Sequence, residues 1–457
     1  MRPSSSPSDR AGSALFAGVL SRSPVAEAVS DAAWLRALLD VEAALAVANA
    51  AAGLIPATAA TAIAAACRDA SVFDTRTLGE QAAAAGNPVL ALVGALEVAV
   101  GEEGGGYVHR GATSQDIIDT AAMLVTKRAL DLIVDDVEGV ADEAAALAER
   151  HLRTPMAGRT LMQQAVATTF GRKAAGWTAG ADACIDRLVA VRDGLPLQLG
   201  GAVGTLAAFE AQGSAVAARM AEDLQLMNPV LPWHTIRAPI ADIAGALGGL
   251  AGLLGKIAGD VILMAQTEVA EVSEQAPGRG GSSTMPHKHN PVAAISARAS
   301  AMRAPGLVST LLQCCMAQEH ERAAGAWHAE WETLPDLVRC TGSAASWLRE
   351  SLRSLQVDER RMRANLQLSG PSAGAEAVAG HLSVQLGRGR AHQLVAQASA
   401  AATTAEFRER LLSHADVGRH LTAEHLDELL DPAASVSDAV SQALAATAAH
   451  HARRAGS

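Results

Sequence analysis

The chain has 457 residues, 49% of them hydrophobic and 19% charged, so it is long enough for two or three cores and too apolar to be disordered. Aromatics are only 3%, with Tyr107 the one tyrosine, and alanine recurs throughout; such a composition suits closely packed helices, because strands favour aromatic and β-branched side chains. The formal net charge of −11 excludes broad nucleic-acid binding, which needs clustered Lys and Arg, yet leaves room for a local basic pocket and a small anionic substrate.

Residues 1–10 are polar and Ser/Pro-rich and lack the charged-then-apolar plan of a secretion signal; the five cysteines, odd in number and with no CxxC pair, make a reducing cytoplasm the default expectation. Ser30 or Asp31 caps a helix that begins near Ala32 and sets Trp34, Leu38, Val41 and Leu45 on one face; Gly53 and Pro56 stop it. Residues 57–68 again read as helix, a looser stretch passes through Gly79 and Gly86-Asn87-Pro88, and an apolar helix over 89–100 ends in the glycine run 101–106. From about Asp116 to Gln356 the pattern is of long helices: 117–150, broken only by Gly139, then 170–191, 206–224, 240–274 and 292–316. Breakers cluster at Thr154-Pro155, 194–204 and 227–239, and strand signals are almost absent. The most apolar stretch, 243–255, is shorter than the ~20 residues a bilayer span requires, so it reads as a bundle helix and no membrane role is expected. Ser369-Gly370-Pro371 marks a break before a smaller helical unit.

The expected fold is therefore all-α, with three helical domains over 1–108, 109–358 and 359–457. Helices of roughly 25–35 residues far exceed the usual mean of about 11–12 and point to a long bundle completed by other subunits. Cys67, Cys184, Cys314, Cys315 and Cys340 are odd in number and form no CxxC pair; they read as small buried hydrophobes rather than disulfides or zinc ligands.

Chemistry concentrates in one segment. Residues 276–284 hold Gly278, Gly280, Gly281, Pro277 and the hydroxyls of Ser282, Ser283 and Thr284, and a dense polar set follows: His287, Lys288, His289 and Asn290. A mobile hydroxyl-bearing loop beside Lys and Asn is what proton transfer next to a carboxylate requires, since Lys offers charge to a developing enediolate and Asn a directional donor. A solvated Gly/Ser linker would have much the same composition. The frame Gly-Ser-Ser-x-Met-Pro-x-Lys-x-Asn over 281–290, however, resembles the signature of the fumarase/aspartase superfamily. The resemblance implies that Ser282 is the catalytic residue, as an alkoxide-like base in elimination or the proton donor in the reverse addition. Ser283, Lys288 and Asn290 would hold a substrate carboxylate.

Two more blocks agree. Tyr107-Val108-His109-Arg110-Gly111-Ala112-Thr113-Ser114-Gln115-Asp116 is similar to the superfamily's first block. Thr113 and Ser114 stand where a helix begins, and their hydroxyls with the free backbone N–H groups suit a carboxylate; on their own they would be a simple N-cap. His109 would donate to substrate. Gly158-Arg159-Thr160-Leu161-Met162-Gln163 resembles the third block, with Thr160 and Gln163 as substrate contacts. Leu161 stands where many members carry His. Leucine cannot shuttle a proton, so proton chemistry falls more heavily on Ser282.

Three stretches select a branch of the superfamily. Residues 318–335, 85–89 and 195–206 resemble the carboxymuconate cycloisomerases. Adenylosuccinate lyases keep a phosphate-gripping Ser and Arg where this chain has Trp327 and Trp331, and an indole offers a single N–H. The two tryptophans, at i and i+4, also suit plain core packing. The branch implies internal addition of a carboxylate of 3-carboxy-cis,cis-muconate, in protocatechuate breakdown, with Arg322 pairing another carboxylate of this small anionic polycarboxylate. It also implies a homotetramer with shared active sites. No metal site or cofactor is expected, as metal, P-loop and dinucleotide motifs are missing. Another lyase of the superfamily, a relative acting on a sulfonate analogue, and a non-catalytic helical scaffold are the competing expectations.

Overall fold

The computed structural model describes residues 14–22, 24–276, 278–281, 285, 288–368, 372–399, 403–431 and 436–456. Among the described residues the fold is all-α apart from two short antiparallel strand pairs. Its residues divide into two compact units, one of 1–137, 184–255 and 296–347, the other of 138–183, 256–295 and 348–457. Four long helices, Ser114–Arg150, Phe170–Asp193, Ala238–Ala265 and Ala326–Arg353, contribute residues to both.

In the first unit, the Asp31–Ala51 helix starts where the sequence places it, with the Ser30 hydroxyl accepting from the Ala33 amide at 3.3 Å. Leu35, Leu38, Leu39, Val41 and Leu45 are buried along it. Helices Ala57–Arg68, Thr75–Ala85 and Val89–Val100 follow, then a short turn leads into Ser114–Arg150. The apolar helix Ala238–Ala265 buries Ile243, Leu247, Leu250 and Leu254 within this unit.

In the second unit, strands Pro155–Thr160 and Gln163–Thr169 form a hairpin that the sequence pattern did not announce. Its tip is Leu161-Met162, with φ of 51° and 67°: two consecutive left-handed residues, the geometry of a two-residue hairpin turn usually supplied by Asn and Gly. The smaller helical unit after residue 371 has its own apolar core, built on Val378, Leu382, Leu394, Phe407, Leu411 and Leu426.

Three long helices expected from the sequence are shorter, and the one expected over 206–224 begins only at Gly213, after a separate turn over Ala207–Phe209. The chain leaves helix after Ala265 and Val272–Glu274 pairs instead with Leu355–Val357. The helix expected over 292–316 is two, Val292–Ala301 and Ala304–Met316. Pro305 in the first turn of the second has no amide hydrogen to continue the first helix, and it disfavours helical backbone just before it.

Candidate active site

The turn before the Ser114–Arg150 helix carries the first expected block. His109 is left-handed, with φ 59°, and Gly111 follows with φ 84°. A Cβ on Gly111 would lie 2.6 Å from the Phe209 ring, so only glycine fits. The Asp31–Ala51 helix brackets this turn with two buried polar side chains two turns apart: Glu42 Oε1 lies 2.7 Å from His109 Nδ1, and Asn49 donates to the Arg110 carbonyl at 3.0 Å. Burial alone would lower the His109 pKa. The hydrogen bond and charge of Glu42, with smaller contributions from Asp116 and Glu97, outweigh it and raise it above 6.5.

Thr113 sits at the mouth of the helix and Ser114 is its first residue, so the first-turn amides precede the regular i→i−4 ladder, with the Asp116 amide donating to the Thr113 carbonyl at 2.9 Å. Asp116, fully buried, fixes the arrangement by accepting from the amides of Thr113 (3.0 Å), Gly200 (2.9 Å) and Gly201 (2.9 Å) and lying 2.7 Å from His234 Nε2. One turn on, Asp119 accepts from Arg237 at 2.6 and 3.0 Å, Gln115 at 3.0 Å and Trp327 Nε1 at 2.9 Å. Arg237 also pairs with buried Glu330. Burial opposes the Arg237 charge, but the two carboxylates outweigh it and hold its pKa above the ordinary value. Burial raises the Glu330 pKa, in part offset by Arg237.

Arg322 donates to Gln115 Oε1 at 3.0 Å and to the Ala202 carbonyl at 2.8 Å. Two of its N–H groups thus tie the Thr113–Gln115 segment to the 200–204 loop. Trp327 and Trp331 meet edge-to-face at 4.9 Å, so Trp327 is both a packing residue and a donor to Asp119. A cavity of about 590 Å³ beside them is lined by Trp34, Leu38, Ile118, Arg303, Trp331 and Arg339 among others, and by none of the expected site residues.

The second unit holds the other blocks. Thr160 and Gln163 pair across the hairpin tip and are exposed, as is Leu161 at 97%. The hairpin is anchored behind the tip: Arg159 grips fully buried Glu271 with two hydrogen bonds of 2.9 and 2.6 Å, and Asn365 donates to the same carboxylate at 2.9 Å. The expected catalytic loop is closed at its neck. Both the backbone amide (2.9 Å) and the side-chain amide (3.1 Å) of Asn290 donate to the Gly280 carbonyl. Glu274 accepts from the Ala293 and Ala294 amides at 2.9 and 2.8 Å, capping the helix that leaves the loop. Lys288 is exposed. Ser282 and Ser283 lie outside the described residues. Among the described residues, no three His, Cys, Asp or Glu side chains are grouped as a metal would need.

Comparison with known proteins bears on this arrangement. A family model described as "Lyase" matches residues 20–306, and one described as "Adenylosuccinate lyase C-terminus" matches 373–444. The chain belongs to the fumarase/aspartase superfamily of lyases. It is 46% identical over 452 residues to a 3-carboxy-cis,cis-muconate cycloisomerase of Pseudomonas aeruginosa, covering 97% of this chain and 98% of that one. It is also 45% identical to a nitrosuccinate lyase of Streptomyces davaonensis, over 92% of this chain and 91% of the relative. Among solved structures, the 3-carboxy-cis,cis-muconate lactonizing enzyme of Pseudomonas putida superposes with a TM-score of 0.89 at 42% identity, over 96% of this chain and 99% of that one.

Sequence reasoning located the lyase blocks but missed the residues that hold them: Glu42, Asp116, Asp119, Arg237, Glu271 and Glu330. Asp116 and Asp119 carried a usable signal, since a spacing of three puts both on one helix face. Glu42 carried a weaker one, a carboxylate at helical spacing from Leu38, Leu39 and Leu45 in a stretch that also holds Asp40. Arg237 and Glu330 offered none, because their partners are remote in sequence.

Proposed function

We propose that this chain is a 3-carboxy-cis,cis-muconate cycloisomerase. The observation that carries the reading is the 46% identity to a cycloisomerase across nearly the full length of both chains. The retained Thr113-Ser114 and Lys288-x-Asn290 elements support it. In the reaction, one carboxylate oxygen of the substrate adds to its own carbon–carbon double bond, forming a C–O bond. The electron pair moves onto the neighbouring carbon and its carboxylate as an enediolate, and a proton delivered to that carbon completes the lactone.

In this reading Thr113, Ser114, Ser283, Lys288 and Asn290 hold the carboxylate that carries the developing charge, and Ser282 delivers the proton. His109, Thr160 and Gln163 contact the rest of the substrate. Arg322 shapes the Thr113–Gln115 segment through its bond to Gln115 and offers its remaining N–H groups to a further carboxylate. The working form is a cytoplasmic homotetramer in which different subunits supply the three blocks.

The test is ultraviolet monitoring of 3-carboxy-cis,cis-muconate consumption, with NMR of the product. Turnover to a carboxymuconolactone is expected, and Ser282→Ala is expected to abolish it while leaving circular dichroism unchanged. Near-wild-type turnover by that variant would sink the role of Ser282. A second reading, elimination from nitrosuccinate, is favoured by the 45% identity to the nitrosuccinate lyase. Nitrite release from nitrosuccinate, with carboxymuconate left untouched, would establish it instead.

A further inference from the structure

We propose that Glu42 is a positioning residue for this reaction, acting through His109 to keep that imidazole a cationic donor whose Nε2–H meets a substrate carboxylate. The inference rests on the cycloisomerase reading and deepens it, for that reading leaves unassigned what supplies the positive charge at the first block.

The geometry is specific to one partner. Glu42 lies in the middle of a helix whose neighbouring side chains are apolar and buried, and its own side chain is fully buried. Oε1 meets His109 Nδ1 at 2.7 Å, and among the described residues Oε2 has no hydrogen-bond partner. A buried carboxylate with one oxygen unsatisfied destabilises the fold unless it does something else, since a leucine or methionine would pack there at lower cost. Among the described residues, the one group it hydrogen-bonds is His109; its charge also bears on buried Cys67, whose thiol it helps to keep protonated. With Nδ1–H given to Glu42, the ring turns Nε2 outward, and 19% of the His109 side chain is exposed.

The backbone points the same way. His109 takes a left-handed conformation that is strained for a non-glycine residue, and Asn49 clamps the next carbonyl from the same helix face as Glu42. One helix thus fixes both the ring and the turn of the residue that stands four positions before Thr113. The charged groups around the ring are Glu42 from the Asp31–Ala51 helix, Glu97 from the Val89–Val100 helix and Asp116 from the Ser114–Arg150 helix, all acidic. The adjacent Arg110 is paired with Glu210. This surrounding favours imidazolium, and its raised pKa agrees.

The sign follows. His109 is charged below its midpoint and loses the charge as pH rises through it, so kcat/KM falls on the alkaline side. Glu42→Gln keeps an acceptor for Nδ1–H but removes the charge, leaving burial to pull the midpoint down. The alkaline limb of kcat/KM should move to lower pH. Activity on that side should fall about tenfold for every pH unit the limb moves, mostly in KM, and recover toward wild type in acid. Glu42→Ala, which also frees the ring, should lose activity at every pH. A Glu42→Gln profile that superimposes on wild type would overturn the proposal, and so would a uniform loss with an unmoved limb. If Glu42→Gln does not fold, NMR titration of the His109 Cε1 resonance in the wild-type enzyme decides: a midpoint above 6.5 is expected, one below overturns it. Failure of the wild-type protein to consume carboxymuconate would instead overturn the assigned reaction.

Discussion

Arg237 shows how much of the candidate site is held together by charged residues buried behind it. Its guanidinium bridges Asp119 and Glu330, all three are buried, and Asp119 in turn gathers Gln115 and Trp327. Replacing one member of such a cluster does more harm than the pair is worth, because the remaining charges stay buried without a counter-ion. Arg237→Met leaves two carboxylates facing each other with no cation between them. The expected cost is about 3–5 kcal/mol, read as a lowered midpoint of chemical denaturation. A variant within about 1 kcal/mol of wild type would show that the cluster is not a fixed part of the fold. Sequence alone could place Asp119 on a helix face beside Asp116. It could not supply Arg237, 118 residues away, because a long-range ion pair leaves no periodic trace.

At the scale of elements, the helices were legible and the irregular segments between them were not. Apolar spacing from Trp34 to Leu45 and the Ser30 cap determined the Asp31–Ala51 helix, and the Pro305 break follows from proline geometry. The hairpin over 155–169 was invisible because its strands mix Ala, Thr and Gln with a single large aliphatic β-branched residue, Val166, and its left-handed turn is built from Leu161 and Met162. What orients it, the Arg159–Glu271 pair, again joins remote segments. The catalytic loop was legible as a motif, while its neck was not. Gly280 has φ 73°, and a Cβ there would lie 2.5 Å from the Asn290 carbonyl oxygen, so alanine cannot keep the Gly280–Asn290 closure. Gly280→Ala should cost on the order of 10²-fold in kcat through misplacement of the loop, with thermal stability little changed, because the neighbouring helices keep their own cores. A variant with full kcat would show that the neck does not aim the loop.

At the scale of the whole molecule, the Ala238–Ala265 helix carries a conflict within the single chain that assembly would resolve. It contains six glycines, and each costs about 1 kcal/mol in helix stability relative to alanine. Packing inside the chain explains two: a Cβ on Gly248 would press on Val308 at 2.9 Å, and one on Gly255 would meet Ala301 at 3.3 Å. Gly245, Gly249, Gly252 and Gly259 face open space. Positions 245, 249 and 252 lie on one helix face, opposite the buried Ile243, Leu247, Leu250 and Leu254. Only 44% of the helix's most apolar stretch is buried in one chain, and Met302, in the turn before the Ala304–Met316 helix, and Leu312 and Met316 on that helix are exposed. A bare, smooth face of this kind suits close approach by the same helix of a second copy, as the proposed tetramer requires. Gly249→Leu separates the two levels. A Cβ at this position meets nothing within 4 Å in its own chain, and leucine raises helix propensity, so helicity should hold or rise. Against a second helix it would be a wedge. Light scattering after size exclusion should therefore read four chain masses for the wild type and fewer for Gly249→Leu, with turnover lost alongside assembly if subunits share the site. An unchanged mass in the variant would remove this face from the interface.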